Sequence, residues 1–441
     1  MSHKEHKRDV FSSKFGIVAA AAGSAIGLGN IWRFPYMTGE NGGAAFLFIY
    51  LFFVLALGVP VMLSEFIIGR KSQANFFGAF RKLAPGSGWP IIGIMGVAAA
   101  FMILAFYSVV SGWTLEYIIA AAGNFFADKS SEEIKAFYDI STGQSWRPIV
   151  FMFAFMAITA VIVKAGVQNG IEKACKMMMP MLFIIVLVLI GKSLSLEGAS
   201  KGLKFLFQPD FSKVEGRTIL NALGQAFFSL SLGMGAMATY GSYINKNESL
   251  GQSAIYTSLA DTFFAVLVGL AIFPAVFAFG IEPSEGPGLV FVIFPGIFNQ
   301  MVGGYFFAVI FFVLLAITAL TSTISLLEVV VLYFVEELKM KRTVATWVAA
   351  GSISALGVLC AINSSIFGFF DSTSSNILLP MGGLLTVIFV GWVLGKTVVR
   401  NELEEDGRPA FYFRIFIPVI RFLAPLAIAI VFLNSIGLLK F

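Results

Sequence analysis

Apolar residues gather along this chain in eleven stretches, most of them close to the roughly 20 apolar residues that a bilayer-spanning helix needs. They cover residues 15–36, 45–68, 91–121, 149–163, 177–191, 219–243, 253–280, 305–335, 344–361, 376–399 and 411–438. The pattern predicts an all-α polytopic membrane protein of about eleven transmembrane helices, called segments one to eleven below.

Composition agrees. Of 441 residues, 58% are hydrophobic and 12% charged, against about a quarter charged in soluble domains, which excludes an ordinary cytosolic protein. Cys175 and Cys360 lie far apart in or beside apolar stretches, so no disulfide framework follows. Residues 1–14 are basic and lack a small-residue cleavage site, so they read as a cytoplasmic tail rather than a signal peptide. Lysine and arginine crowd before segment one and after segments two, four, eight and ten, which places all of those ends on the cytoplasmic side. The five basic residues of the long loop after segment five run against this, but long loops weigh less. An odd helix count then puts the C-terminus outside. The net charge of +5 is explained by topology, with no nucleic acid implied.

Two of the stretches are interrupted. Segment one contains AGSAIGLGNIWRFP, with Gly23, Gly27 and Gly29 among Ser24 and Asn30. Segment six contains QAFFSLSLGMGAMATYGSY, with Ser229, Ser231, Gly233 and Gly235 at its centre. Irregular backbone at membrane depth is tolerated only where protein buries it or a cavity adjoins it. Paired interruptions five segments apart point to an inverted-repeat transporter with its site near the midplane. Close packing through small residues is the plainer alternative. Ionisable groups within apolar stretches suggest function by their cost: Glu65, Glu116, Asp261, Glu328 and Asp371, with Arg33 as the notable base. Segment eight adds Thr318, Thr321, Ser322, Thr323 and Ser325, hard oxygens suited to a small cation.

These residues resemble the neurotransmitter:sodium symporter family, and within it the short bacterial carriers of hydrophobic and aromatic amino acids. GLGNIWRFP followed by ENGGAAF, GWTLEY in segment three and GQAFFSLSLGMG in segment six stand in family order, and the likeness extends from Arg8 to about Trp392. The family supplies the example from which the broken-helix rule is drawn. The resemblance implies a 5+5 inverted-repeat fold with helices one and six unwound: residues 15–192 as first repeat, 218–399 as second, 411–438 as an eleventh helix, all in one transmembrane domain.

It also implies a site. One sodium ion would sit among the Ala25 carbonyl, Asn30, Ser229, Asp261 and the substrate carboxylate. A second would sit among the carbonyls of Gly23, Ile26 and Thr318 and the hydroxyls of Thr321 and Ser322. The amides near Leu28 and Gly29 and the Tyr107 hydroxyl would receive a carboxylate; the carbonyls of Ala25, Phe228 and Ser229 and the Ser231 hydroxyl would receive an ammonium. Gly27 stands where monoamine carriers of the family have aspartate, so the ligand must bring its own carboxylate. Ile103, Phe228, Met234, Ser322 and Leu326 would line an apolar side-chain pocket, and Met234 replaces the phenylalanine of leucine-carrying relatives with a flexible wall. Arg33 and Asp371 would form an outer gate above Phe228, Arg8 and Glu336 an inner one near Ser242 and Tyr243. Gly170 and Pro180 match relatives whose fifth helix unwinds. Asp261, with Ala265 one turn on, stands where chloride-dependent relatives have asparagine and serine, which implies chloride independence. Glu65 is expected to hold the unwound backbone of segment six.

The expectation is therefore sodium-coupled symport of a hydrophobic L-amino acid by a monomer or weak dimer in a bacterial inner membrane. A channel or receptor is the rival from another class. An intramembrane enzyme has little to draw on, since both histidines, His3 and His6, lie in the tail.

Overall fold

The computed structural model describes residues 9–143, 146–280, 289–405 and 408–439. It is helical almost throughout, and among the described residues its long apolar helices account for ten of the eleven segments, one of them as a bent pair, while segment six is two shorter pieces. Nine are continuous: Ala44–Ser72, Pro90–Ala122, Trp146–Lys164, Val167–Leu194, Leu250–Ala278, Gly304–Glu336, Arg342–Ile362, Ser364–Val393 and Phe413–Ser435. These are segments two to five and seven to eleven. Segment one is a bent pair, Lys14–Ala25 and Gly29–Glu40, turned by 55°. Segment six is split into Gly216–Ser229 and Ala236–Gly241.

Segments three and eight make the largest helix contact, and segment one packs against five, seven and eight. Small residues allow this proximity. A Cβ on Gly69 of segment two would fall 1.9 Å from the Ala238 carbonyl oxygen, so segment two lies directly against the second half of segment six. Lipid-facing positions carry large apolar side chains, such as Phe52 at 63% and Phe263 at 58% exposure.

Segment ten differs from its sequence boundaries. It begins at Ser364 rather than near residue 376, because Asn363 caps the backbone N–H groups of Ser365 and Ile366 and starts the helix through a polar stretch. Asp371 consequently lies inside segment ten rather than ahead of it. Segment five opens with the wide turn Val167–Glu172 and then stays helical through Pro180; the unwinding suggested by Gly170 and Pro180 is not present in this conformation. Short helices in the loops, Ser131–Thr142 and Phe294–Asn299, cover the end of the bundle where segments three and seven finish.

Candidate functional site

The two breaks meet in the middle of the bundle. Segment one stops at Ala25 because Ile26 turns to an extended conformation (φ −68°, ψ 96°) and the chain restarts at Gly29. The break frees carbonyls at the end of one half-helix and amides at the start of the next, the partial charges that attract a cation and an anion respectively. In segment six the stretch between Ser229 and Ala236 contains left-handed Ser231 (φ 54°), Gly233 (φ 87°) and Gly235 (φ 77°). Glu65 holds this stretch from segment two, accepting from the amides of Gly233 at 2.7 Å and Ala238 at 3.3 Å, as the sequence suggested. At Gly233 only glycine fits, since a Cβ would lie 2.2 Å from the Leu379 carbonyl oxygen in segment ten.

Asn30, Ser229 and Asp261, drawn from segments one, six and seven, converge in a fully buried cluster. Asn30 Nδ2 donates to Asp261 Oδ1 at 2.8 Å and Ser229 Oγ donates to Asp261 Oδ2 at 2.7 Å. The Asn30 side-chain oxygen Oδ1 accepts from the Gly27 amide at 3.0 Å, which ties the cluster to the break. Tyr50 of segment two completes it, its hydroxyl donating to Ser229 Oγ at 3.3 Å. A carboxylate with this much oxygen around it suits a small hard cation, which would compete with the Asn30 amide for Asp261.

A second oxygen group lies between segments one and eight. Thr321 Oγ1 donates to the Thr318 carbonyl at 2.9 Å and to the Ile26 carbonyl at 3.3 Å. Ser322 Oγ lies 3.5 Å from the same Thr318 carbonyl. Three of the five expected groups thus meet at one hydroxyl hydrogen, and Ser322 adjoins them. Gly23 packs against this place: a Cβ there would be 3.4 Å from Thr321 Cβ and 3.5 Å from Cys175 Sγ of segment five. Ser24 Oγ donates to Ser325 Oγ at 2.8 Å, a further tie between the same two segments.

Between these clusters the Leu28 amide donates to the Tyr107 hydroxyl at 3.1 Å. Gly27 faces Ser322 and Tyr107 so closely that a Cβ would lie 2.7 Å from Ser322 Oγ and 3.3 Å from the Tyr107 oxygen. A Cβ on Gly29 would meet the Phe228 ring at 3.0 Å. Ser231 Oγ donates to the Ser24 carbonyl at 2.9 Å, so its hydrogen is already used and only its lone pairs remain. Met234 and Leu326 are buried and Ile103 half-buried.

The residues expected at the two gates divide. The Arg33 guanidinium lies 4.2 Å over the Phe228 ring, while Asp371 Oδ1 accepts from Ser375 at 3.2 Å; the two charges are within electrostatic reach of each other. Arg8 lies outside the described residues. Glu336 accepts from the Asn75 amide at 2.7 Å and its side-chain nitrogen at 3.0 Å. Just before segment one Phe11 packs on the second half of segment six: its ring meets Tyr240 and Tyr243 edge-on at 5.9 and 6.0 Å and its amide donates to the Tyr243 carbonyl at 3.0 Å.

Sequence reasoning missed three participants. Tyr50 was hidden among the phenylalanines of segment two. Arg342, counted only as a topology charge, reaches the fully buried Glu328 at 2.5 Å, and Glu328 also accepts from the Tyr243 hydroxyl at 2.6 Å. Glu172 accepts from the Ser12 amide at 2.8 Å and hydroxyl at 2.6 Å, clamping the start of segment one to segment five. The first had no signal; a buried acid needing a partner was the signal for the second.

Comparison with known proteins agrees with this geometry. A family model described as the sodium:neurotransmitter symporter family matches residues 8–132 and 124–440. An uncharacterized sodium-dependent transporter of Bacillus subtilis, YhdH, is 40% identical over 99% of this chain and 100% of its own. Another uncharacterized sodium-dependent transporter, from Haemophilus influenzae, is 37% identical over the same shares. The sodium-dependent serotonin transporter of Drosophila melanogaster is 25% identical over 99% of this chain and 78% of its own. Among solved structures, MhsT in complex with L-phenylalanine superposes with a TM-score of 0.89 at 41% identity, covering 97% of this chain and all of that one. Two broken helices packed round a buried polar centre, in a chain matched by the family model over nearly its whole length, make this a transporter rather than an enzyme, and it belongs to the sodium:neurotransmitter symporter family.

Proposed function

We propose that this transporter carries hydrophobic L-amino acids, aromatic ones included, by sodium-coupled symport with alternating access. The observation that carries the reading is Gly27. With Ser322 Oγ and the Tyr107 hydroxyl already where a Cβ would go, the protein offers no side-chain acid there, and the substrate must supply the carboxylate. The Leu28 and Gly29 amides and Tyr107 are suited to receive it. The apolar wall of half-buried Ile103 and buried Met234 and Leu326 suits an uncharged side chain, and MhsT, a solved relative, is in complex with L-phenylalanine.

Two sodium ions fit the two oxygen groups, one at Ala25, Asn30, Ser229 and Asp261, the other at Gly23, Ile26, Thr318, Thr321 and Ser322. One charge moved through 100 mV yields about 2.3 kcal/mol and a tenfold sodium ratio about 1.4 kcal/mol. Two ions per zwitterion therefore supply about 7 kcal/mol, a ceiling of about 10⁵-fold accumulation. Asp261 brings a fixed negative charge to the first group, so chloride is not required. Residues 15–192 and 218–399 act as the two repeats, Arg33 with Asp371 and Arg8 with Glu336 as the outer and inner gates. The protein sits in a bacterial inner membrane with its N-terminus cytoplasmic and its C-terminus outside.

Uptake by proteoliposomes, challenged with each of the twenty amino acids, tests this. Apolar and aromatic L-amino acids should compete and charged ones should not, with uptake unchanged when gluconate replaces chloride. No sodium dependence for any of the twenty would remove the central claim.

A further inference from the structure

Arg421 takes no part in the central site and pairs with no acid among the described residues. It lies within segment eleven, in the wide turn Val419–Leu423, which packs on a matching wide turn of segment ten, Phe389–Val393. Gly391 permits this approach, since a Cβ there would lie 3.1 Å from Arg421 Cγ. Arg421 Nε donates to the Gly391 carbonyl at 2.6 Å, and the guanidinium lies 5.1 Å over the Trp392 ring. Trp392 Nε1 donates back to the Arg421 carbonyl at 3.3 Å. The two Nη groups find no acceptor among the described residues and are not enclosed.

Depth and surroundings say what can reach them. Segment ten ends at Val393, so Trp392 stands where hydrocarbon gives way to headgroups, the usual level of membrane tryptophans. Trp392 and Phe422 meet edge-on at 5.6 Å and are 54% and 62% exposed, apolar rings turned to lipid on the same flank as the guanidinium. The connection between the segments, residues 394–420, balances its own charge, with Lys396, Arg400, Arg408 and Arg414 against Glu402, Glu404, Glu405 and Asp406. Arg421 is left as the surplus positive charge, and a cation at this depth is costly without an anion.

We propose that Arg421 holds the phosphate of an anionic phospholipid where segments ten and eleven meet. With Nε spent on Gly391, the Nη groups are the part of the planar fork that fits phosphate oxygens. The exposed rings match the acyl chains. A net negative lipid offsets the surplus charge, whereas a zwitterionic one brings a cation of its own to the same place. Segment eleven, 28% buried, has little protein to hold it, and the bound lipid would fasten it to segment ten.

The test is native mass spectrometry of the delipidated, full-length protein after re-addition of phosphatidylglycerol, phosphatidylcholine or phosphatidylethanolamine with identical acyl chains. One phosphatidylglycerol per chain should be retained about fivefold above either other lipid, the worth of one basic residue at an anionic surface. Arg421→Gln should erase that preference, and Arg414→Gln, which removes an exposed charge of the connection, should leave it. Equal retention of the three lipids by the wild type overturns the proposal, as does a preference that survives Arg421→Gln or is lost as fully in Arg414→Gln. Should Arg421→Gln fail to fold, a photoactivatable phosphatidylglycerol on the wild type decides: it should label residues 389–393 and 419–423, and labelling confined to other segments refutes the site.

Discussion

Replacing Asp261 by asparagine keeps the shape of the side chain and removes its charge. The wild-type carboxylate accepts from Asn30 at 2.8 Å and from Ser229 at 2.7 Å. Hydrogen bonds to a charged group contribute about 1.5–3 kcal/mol, neutral ones about 0.5–1.5. A sodium ion that takes the place of these donors loses the same carboxylate charge, and on the scale of two such conversions it loses about 2–3 kcal/mol, or about 30- to 150-fold in an equilibrium constant. The new amide would also point a donor at Ser229, which already accepts from Tyr50 at 3.3 Å, so the serine hydroxyl must turn. The assay is the sodium dependence of radiolabelled amino-acid binding to purified protein, with choline replacing sodium to hold ionic strength. The half-saturating sodium concentration should rise about 30- to 150-fold in Asp261→Asn. Tyr50→Phe removes one long neutral bond and should raise it about fivefold, the worth of about 1 kcal/mol. An Asp261→Asn protein whose sodium requirement stays within threefold of wild type would refute the reasoning.

Two further changes probe other parts of the site. Gly27→Ala drives a Cβ to 2.7 Å from Ser322 Oγ; overpacking of about 1–3 kcal/mol should weaken amino-acid binding by about 5- to 150-fold in a competition assay, with gel filtration unchanged. Glu328→Gln leaves the Arg342 charge without its acid, for which about 3–5 kcal/mol is the usual cost. It should lower the melting temperature in detergent markedly, and Glu328→Gln with Arg342→Gln should recover most of the loss; a double variant no more stable than the single one would show that the pair is not the cause.

The broken segments were legible because glycine and serine at membrane depth have few other uses. The same logic picked out Glu65, whose partners turned out to be the backbone amides of segment six. Segment ten was misplaced by twelve residues because Asn363, Ser364 and Ser365 look like a loop, while the Asn363 side chain is in fact a helix cap. Tyr50 could not be read at all: in an apolar run, a tyrosine that gives its hydroxyl to a buried site looks the same as one that fills space. Arg342 lay within reach, since a fully buried Glu328 requires a cation, but sequence order alone does not say which base folds against it.

The left-handed stretch from Ser231 to Gly235 has a consequence for how this transporter can evolve. Its surface toward the centre is largely main chain, and the same holds for Ala25 to Gly29. Peptide groups persist whatever residue carries them, so under the proposed function point substitution here leaves in place the groups that would meet an α-amino and an α-carboxyl group, except at Gly27, where any side chain enters the centre. Substitution at Met234 or Ile103 changes only the space left for the rest of the molecule. Such a scaffold can drift from one amino acid to another in a few steps, while its demand for amino acids as a class lasts as long as Gly27 does.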